Sequence, residues 1–256
     1  MKLSVALMSF NEEKNIRRTL EAVLPLADEI VLVDSFSTDK TTEIASSLGA
    51  NIFREHWKGY VEQTNSCLRK CGGEWILILD CDEVASPELL ESIKGILDLR
   101  FPCAGYLINR RTFYMGKLLK YAWQPDRKLR LVRRDAAPRC AGHNPHPVLR
   151  VDGKTGRCSG ELLHYSYENF SAHMAQTQNL ARQIAESYHR GGRKSGFCSL
   201  LFKPPLAFFK RFVLQRACLD GVPGLMAAVS SAVYAYMKYA FLWELGAGSD
   251  RRDDSG

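Results

Sequence analysis

The stretch WILILDCDEV, residues 75–84, places three carboxylates, Asp80, Asp82 and Glu83, directly behind a run of apolar residues. Such a run reads as a buried strand, so the charges stand where the chain leaves a sheet. Desolvating one carboxylate is costly, and clustering several adds mutual repulsion. Two carboxylates at i and i+2 on a turn can approach a single hard cation. Mg²⁺ or Mn²⁺ prefers such oxygens and shares its remaining positions with substrate phosphates. A bound ion of this kind would offset the repulsion and stabilise charge developing on a diphosphate leaving group. The plainer reading is a solvated acidic turn ahead of the helix that starts at Ser86. A second acidic strand end, Asp34 in EIVLVD, favours the metal.

The elements that position these residues alternate strand and helix through the first hundred residues. LSVALMSF reads as a buried strand, and NEEKNIRRTLEAVLPLA as a helix with Ile16, Leu20, Val23 and Leu24 on one face. EIVLVD is a second strand, STDKTTEIASSLGA a helix stopped by Gly49, NIFRE a third strand and YVEQTNSCLRKCGG a further helix. EWILILD is the fourth strand, and Ser86-Pro87-Glu88 opens another helix with serine at the cap and proline at its first position. The pattern predicts an α/β fold: a mainly parallel sheet with helices on both faces. Ligands bind such sheets beyond the carboxyl ends of the strands, where Ser9-Phe10-Asn11, Asp34 and Asp80-Cys81-Asp82-Glu83 all stand.

From about residue 103 the pattern changes. CAGYLINRRTFYMG, RKLRLVRRD and ELLHYSY read as antiparallel strands, and a long helix is expected from Glu168 to His189. The expected division is a catalytic domain over 1–167, a helical region over 168–245 and a disordered tail over 246–256. The net charge of +7 suggests an anionic partner but does not choose among nucleotide, phosphate, nucleic acid and membrane. The N-terminus, MKLSVALMSFNEEKN, does not read as a signal peptide, because its apolar stretch is short and runs straight into charge. The 8 cysteines lack paired-motif spacing and read as reduced structural thiols of a cytosolic protein.

SVALMSFNEEKNIRRTLEAV, EIVLVDSFSTDKTTEIA and GEWILILDCDE resemble successive motifs of family 2 glycosyltransferases, inverting enzymes of the GT-A fold. Together with LLHYSYENFSAHM and RACLDGVPGL, they are most similar to the branch acting on the lipopolysaccharide core. The resemblance implies an inverting transferase that moves a hexose, glucose being the expected one, from a nucleotide-diphosphate sugar to a bacterial glycolipid. It implies that Asp34 binds the nucleotide, with Phe10 and Asn11 lining the same pocket. It also makes Asp80 and Asp82 the D-x-D pair, both counted as metal ligands, with Asp82 the direct one and Asp80 also on the nucleotide sugar. Two departures stand out. Asp34-Ser35-Phe36-Ser37 lacks a carboxylate and a glycine frequent in relatives, and Thr64 replaces a basic residue.

Inverting transfer needs a group that takes the acceptor hydroxyl proton. HNPHPV supplies His143 and His146, and histidine titrates in the right range. Asp126, in WQPDRKLR, is the rival to His146, while His164 reads as structural. Arg130 shares a face with Lys128 and is expected to pair with the diphosphate or an anionic acceptor, a solvated basic edge strand being the alternative.

In the C-terminal third, a helix after Pro204-Pro205 would combine Leu206, Phe209, Phe212 and Val213 with Lys210, Arg211 and Arg216, the composition of an interfacial helix. The later apolar run, Leu225 to Met237, falls short of the ~20 residues that a bilayer span needs. These features predict peripheral attachment to an anionic membrane surface, the cytoplasmic leaflet of the inner membrane, and no nucleic-acid partner. A polyprenyl-phosphate acceptor is the nearest alternative, and a non-catalytic anionic-membrane module the one from a different class.

Overall fold

The structure, a computed structural model, describes residues 1–98, 103–143, 146–167 and 169–253, without the side chains of His143, His146 and residues 248–253. Its strands are β1 (Leu3–Ser9), β2 (Glu29–Asp34), β3 (Asn51–Arg54), β4 (Trp75–Asp80), β5 (Glu83–Ala85) and β6 (Gly105–Tyr114). β7 (Lys117–Leu118), β8 (Arg127–Arg133), β9 (Arg139–His143), β10 (His146–Arg150) and β11 (Thr155–His164) follow. The helices are α1 (Ile16–Val23), α2 (Thr41–Ser47), α3 (Tyr60–Lys70), α4 (Pro87–Asp98), α5 (Phe170–Arg190), α6 (Phe197–Phe209) and α7 (Val222–Asp253). The chain forms two compact units, one of residues 1–111 and 126–164, the other of 112–125 and 165–256.

The first unit is built on the sheet order β3-β2-β1-β4-β8, continued by β6, β11 and β5. Strands β3, β2, β1 and β4 are parallel, whereas β8 joins β4 antiparallel and β6 joins β8 the same way. The sheet is therefore mixed, with its parallel half where strands alternate with helices in sequence. Leu3, Val5 and Leu7 of β1, Leu32 of β2 and Leu77 and Leu79 of β4 are fully or almost fully buried against Ile16, Leu20 and Val23 of α1. Each such side chain contributes about 1.5–3 kcal/mol relative to exposure. Leu24, expected on the same face, is instead 39% exposed, and α1 ends one residue before it. Ser86 caps α4 as anticipated, its Oγ accepting from the Leu89 N–H at 3.2 Å.

β3 and α3 are joined by a charged clasp. Glu55 accepts from Lys70 at 2.5 Å and from the Ser66 hydroxyl at 2.8 Å. Lys70, Ser66 and Lys58 hold its carboxyl down to about 2, against burial. A depressed folded pKa means that this stabilisation is complete above the ordinary value of about 4.3 and is lost as pH falls through about 2. Glu55→Gln is expected to cost up to about 2 kcal/mol near neutrality and to flatten the decline of stability between about pH 4 and 2. Urea unfolding of both proteins at mildly and strongly acidic pH checks this, and a mutant that declines as steeply as wild type would contradict it.

In the second unit, Tyr114, Leu119, Ala122, Ala217 and Ala227 form a small core. Asp220 organises it: almost fully buried, its carboxylate accepts the backbone N–H groups of Lys120, Tyr121 and Ala122 at 2.8–3.0 Å. Tyr114 shares a 2.8 Å hydrogen bond with Nδ1 of His173, whose pKa burial pushes down to about 4.

α5, Phe170–Arg190, lies within two residues of the expected helix, whose first residue, Glu168, is outside the described residues; Asn169 caps it by accepting from Ala172 N–H. The other two helices differ from expectation. α6 begins at Phe197 and runs through Pro204 and Pro205 rather than starting after them. It then widens into a π-helical turn, Lys210–Leu214. The prolines remove two helical donors but fit an exposed helix, where water can reach the freed carbonyls. Finally, α7 extends well beyond both ends of the Leu225–Met237 run and continues through the region expected as a tail, to Asp253. Its 26 residues Val222–Ala247 are long and apolar enough to cross a membrane, which corrects the sequence-based estimate of its length. The same helix buries Ala227, Ala228, Ser230, Ala235 and Leu242.

Candidate active site

Strand register gathers the acidic residues at one edge. Ser9 lies opposite Asp34, and Met8 opposite Asp80, so β1, β2 and β4 end at nearly the same level. The turn after β4 is pinned from below. Thr19 of α1 donates to the Cys81 carbonyl at 2.6 Å, and Cys81 Sγ to the Met8 carbonyl at 3.2 Å. β5 then pairs with β11, placing His164 opposite Glu83. That pairing brings His164 Nε2 to 3.2 Å from Asp82 Oδ2. His164, read from sequence as structural, thus stands at the carboxylate cluster.

The other two carboxylates are bound to arginine. Arg130 Nη2 bridges Asp80 Oδ2 at 2.5 Å and Glu83 Oε1 at 2.6 Å. Arg110 Nη1 reaches the same pair at 3.7 and 3.4 Å. Glu83 is wholly buried, and its second oxygen accepts the Asp80 backbone N–H. Burial would raise the Asp80 carboxyl, but Arg130 foremost, with Arg110 and His164, holds it down to about 2. For Glu83 burial prevails over the same arginines, aided by the neighbouring Asp80, and its pKa is raised. Arg130 therefore spends its charge on Asp80 and Glu83 here, and β8 is an interior strand between β4 and β6, not a solvated edge. Glu12, just after β1, joins the acidic surroundings: burial first, then Asp82, Asp39 and Asp80, raise its pKa despite a hydrogen bond from Asn15.

Beside this cluster, Asp34 is fully buried and accepts from Ser9 Oγ at 2.8 Å, Ser37 N–H at 2.9 Å and Ser37 Oγ at 2.5 Å. It braces the loops after β1 and β2. Asn11, at φ 55°, completes the brace by receiving the Thr38 N–H and donating its own to Ser37 Oγ. Phe10 is 59% exposed beside them. Phe36 packs on His56, their ring centroids 4.5 Å apart, adding an aromatic surface that sequence reading did not single out.

Of the two proton-acceptor candidates, Asp126 is held on both oxygens, by Arg110 Nε at 2.7 Å and Lys128 Nζ at 3.2 Å. Burial raises its pKa, but Arg110 and Lys128 outweigh that and keep it below the ordinary range. His146 opens β10, paired with His143 across the β9–β10 hairpin, and its side chain lies outside the described residues. Asn65 of α3 fixes that hairpin, its amide exchanging two hydrogen bonds with the Cys140 backbone at 2.8 and 3.0 Å.

Among the described residues, no group of three or more His, Cys, Asp or Glu side chains is arranged to hold a metal. Asp82 with His164 still offers a carboxylate oxygen and an imidazole nitrogen side by side. The carboxylate suits Mg²⁺ or Mn²⁺, with the balance of ligands from phosphate and water, and the imidazole favours Mn²⁺ of the two. The cysteines are all free, and those at 67, 71, 81 and 140 are buried as small hydrophobes. Cys198 and Cys218 are exposed, which that reading does not cover.

A parallel sheet half with braced loops at its carboxyl edge, extended by antiparallel strands behind a D-x-D turn, defines a GT-A glycosyltransferase. The chain belongs to glycosyl transferase family 2, whose family model matches residues 4–142, more than half its length. It is 26% identical over 255 residues to the lipopolysaccharide core biosynthesis glycosyltransferase LpsC of Rhizobium meliloti (strain 1021), covering 95% of this chain and 93% of that one. It is 29% identical over 261 residues to an uncharacterized glycosyltransferase of Rickettsia bellii (strain RML369-C), covering 95% and 87%. Among solved structures, S. aureus TarS 1–349 in complex with UDP shares the fold, with a TM-score of 0.50, 16% identity, and coverage of 97% of this chain and 92% of that one.

Proposed function

We propose that this enzyme is an inverting hexosyltransferase that moves a sugar, glucose in the first instance, from a nucleotide-diphosphate donor to a bacterial glycolipid of the lipopolysaccharide-core type. The observation that carries the reading is the Asp82–His164 pair at the turn after β4, beside loops braced for a nucleotide. The similarity to LpsC supports the acceptor class, and the UDP in the TarS complex supports a uridine donor. Asp82 and His164 would hold Mg²⁺ or Mn²⁺, which when bound supplies positive charge against the diphosphate leaving group. Asp80 is kept ionised beside them by Arg130. Asp34 acts through the loops it braces, Asn11 lines the nucleotide site, and exposed Phe10 provides apolar surface to the base. The acceptor hydroxyl gives its proton to His146, with Asp126 as the rival. Asp126 is the weaker base, because its two cations must be displaced or shared before it can take a proton. Attachment of the second unit to the cytoplasmic leaflet of the inner membrane, without crossing it, would bring the enzyme to a lipid-anchored acceptor.

Purified protein incubated with a panel of nucleotide hexoses is expected to turn over one donor with Mg²⁺ or Mn²⁺, and not with chelator present. No turnover across the panel, or turnover indifferent to metal, counts against the reading. His146→Ala is expected to lower transfer by about 10²–10⁴-fold with nearly unchanged donor affinity, since only the attacking hydroxyl needs the base. A wild-type rate in both His146→Ala and Asp126→Asn places the proton acceptor elsewhere.

A further inference from the structure

The second unit carries a group of cations that, among the described residues, no carboxylate answers. Lys238 of α7 is only part-exposed, and its Nζ lies 4.8 Å from the ring centroid of Tyr239 and 5.4 Å from those of Tyr188 and Tyr234. Arg193, after α5, stacks on one of these same rings, its guanidinium 4.4 Å from the Tyr188 centroid. Lys203 stands on α6, which packs along α7, and its positive charge and that of Arg193 add to burial in lowering the Lys238 pKa. Among the described residues, none of the three forms an ion pair with an acidic side chain. Tyrosine faces offset part of the cost of partly burying a cation, but they leave the net charge in place. A cluster of this kind attracts an anion.

Lys203 belongs to α6, and α6 supplies the second observation. This thirteen-residue helix buries none of its side chains, although most of them are apolar. Phe197 is 77% exposed, Phe202 61% and Leu206 59%, with Leu214 in the following π-turn at 66%. Scattered exposed apolar residues are ordinary, but a whole helix of them next to uncompensated cations is a surface built for a partner. The combination of exposed apolar side chains and basic residues is the chemistry of a lipid–water interface.

We propose that α6 and the Arg193–Lys203–Lys238 group form a docking site for an anionic phospholipid bilayer, the lipid phosphate seated among the three cations and the α6 apolar side chains entering the acyl boundary. This rests on the reading of a membrane-borne acceptor for its choice of occupant, and it names the residues and the headgroup chemistry that make the attachment. A neutral bilayer would satisfy the apolar side chains alone, and a free anion the cations alone. Only a surface offering both fits both.

The full-length protein is mixed with vesicles of phosphatidylcholine, or of phosphatidylcholine with phosphatidylglycerol, and bound protein is measured by co-sedimentation. Binding is expected to the anionic vesicles, to fall as salt shortens the Debye length from ~10 Å at 0.1 M, and to be weak on phosphatidylcholine. Arg193→Glu with Lys203→Glu should weaken it at least about tenfold, and Phe202→Ser should weaken it on either vesicle. Lys203→Gln, a milder change, should give an intermediate loss. Circular dichroism confirms that each variant is folded. Inorganic phosphate at matched ionic strength should not displace the protein from vesicles. Absence of binding at low salt overturns the inference, as does binding indifferent to Lys203 and Phe202. A dimer in solution that loses its pairing in Phe202→Ser, without vesicle binding, overturns it in favour of a second copy on this face. Donor turnover in solution is measured in parallel. Turnover without vesicle binding removes the docking site and leaves the transferase, while binding without turnover does the reverse.

Discussion

Asp82→Ala is expected to lower sugar transfer by about three orders of magnitude or more while leaving the protein folded. The side chain is 25% exposed and its ion-pair contact is His164 across the β5–β11 pairing, so its loss opens no cavity in the core. The barrier would rise by roughly 4 kcal/mol, at ~1.4 kcal/mol per tenfold, because the charge developing on the leaving diphosphate loses a bound cation. The loss should fall mainly on kcat. Chelation of the wild-type protein should reproduce it, and added chelator should do little more to the mutant, since both remove the same ion. His164→Ala is expected to move in the same direction, and raised Mn²⁺ should recover it in part. Turnover near the wild-type rate in Asp82→Ala, with its thermal transition unchanged, would sink the metal assignment.

The difference between what the chain declares and what it conceals follows the range of the interactions. Asp34, Asp80 and Asp82 were legible because each follows an apolar strand within a few residues, and parallel strands of similar length must end together. His164 was not, since it reaches Asp82 through a strand pairing across about eighty residues that no local period encodes. Arg130 lay on a strand whose alternation was visible, but whether β8 was an edge or an interior strand depended on β6 joining it from the far side. That placement sets Arg130 in a bridge to Asp80 and Glu83 that the alternation alone did not declare. The mixed character of the sheet was half readable for the same reason: alternating helices announce parallel strands, whereas antiparallel additions are declared only by pairing. In the second unit, Pro204-Pro205 reads as a helix boundary by local rule. The helix runs through because α6 lies exposed and its freed carbonyls can be hydrated.

Arg130→Met is expected to cost about 3–5 kcal/mol of folding stability, a larger effect than removal of any single surface ion pair in the molecule. The arginine side chain is 13% exposed and the Glu83 side chain 0%, so the mutation does more than delete a contact. Glu83, whose pKa burial already raises, must take up a proton or stand charged without its principal counter-ion. Arg110 remains, but at 3.4 Å from Glu83 and 3.7 Å from Asp80, with Asp126 holding its Nε at 2.7 Å. Its charge is therefore already shared. Methionine keeps much of the apolar stem, which separates loss of charge from loss of packing. The decisive comparison is the double mutant Arg130→Met with Glu83→Gln. If the cost arises from an uncompensated buried charge, removing that charge should restore roughly half of the lost stability, a coupling of at least ~1 kcal/mol between the two positions. Urea midpoints for the four proteins of the cycle measure it directly. Additive losses would mean that Glu83 draws no stability from the Arg130 charge, leaving Asp80 as the arginine's one ion-pair partner of the two, and the ion-pair account of the buried Glu83 would fail.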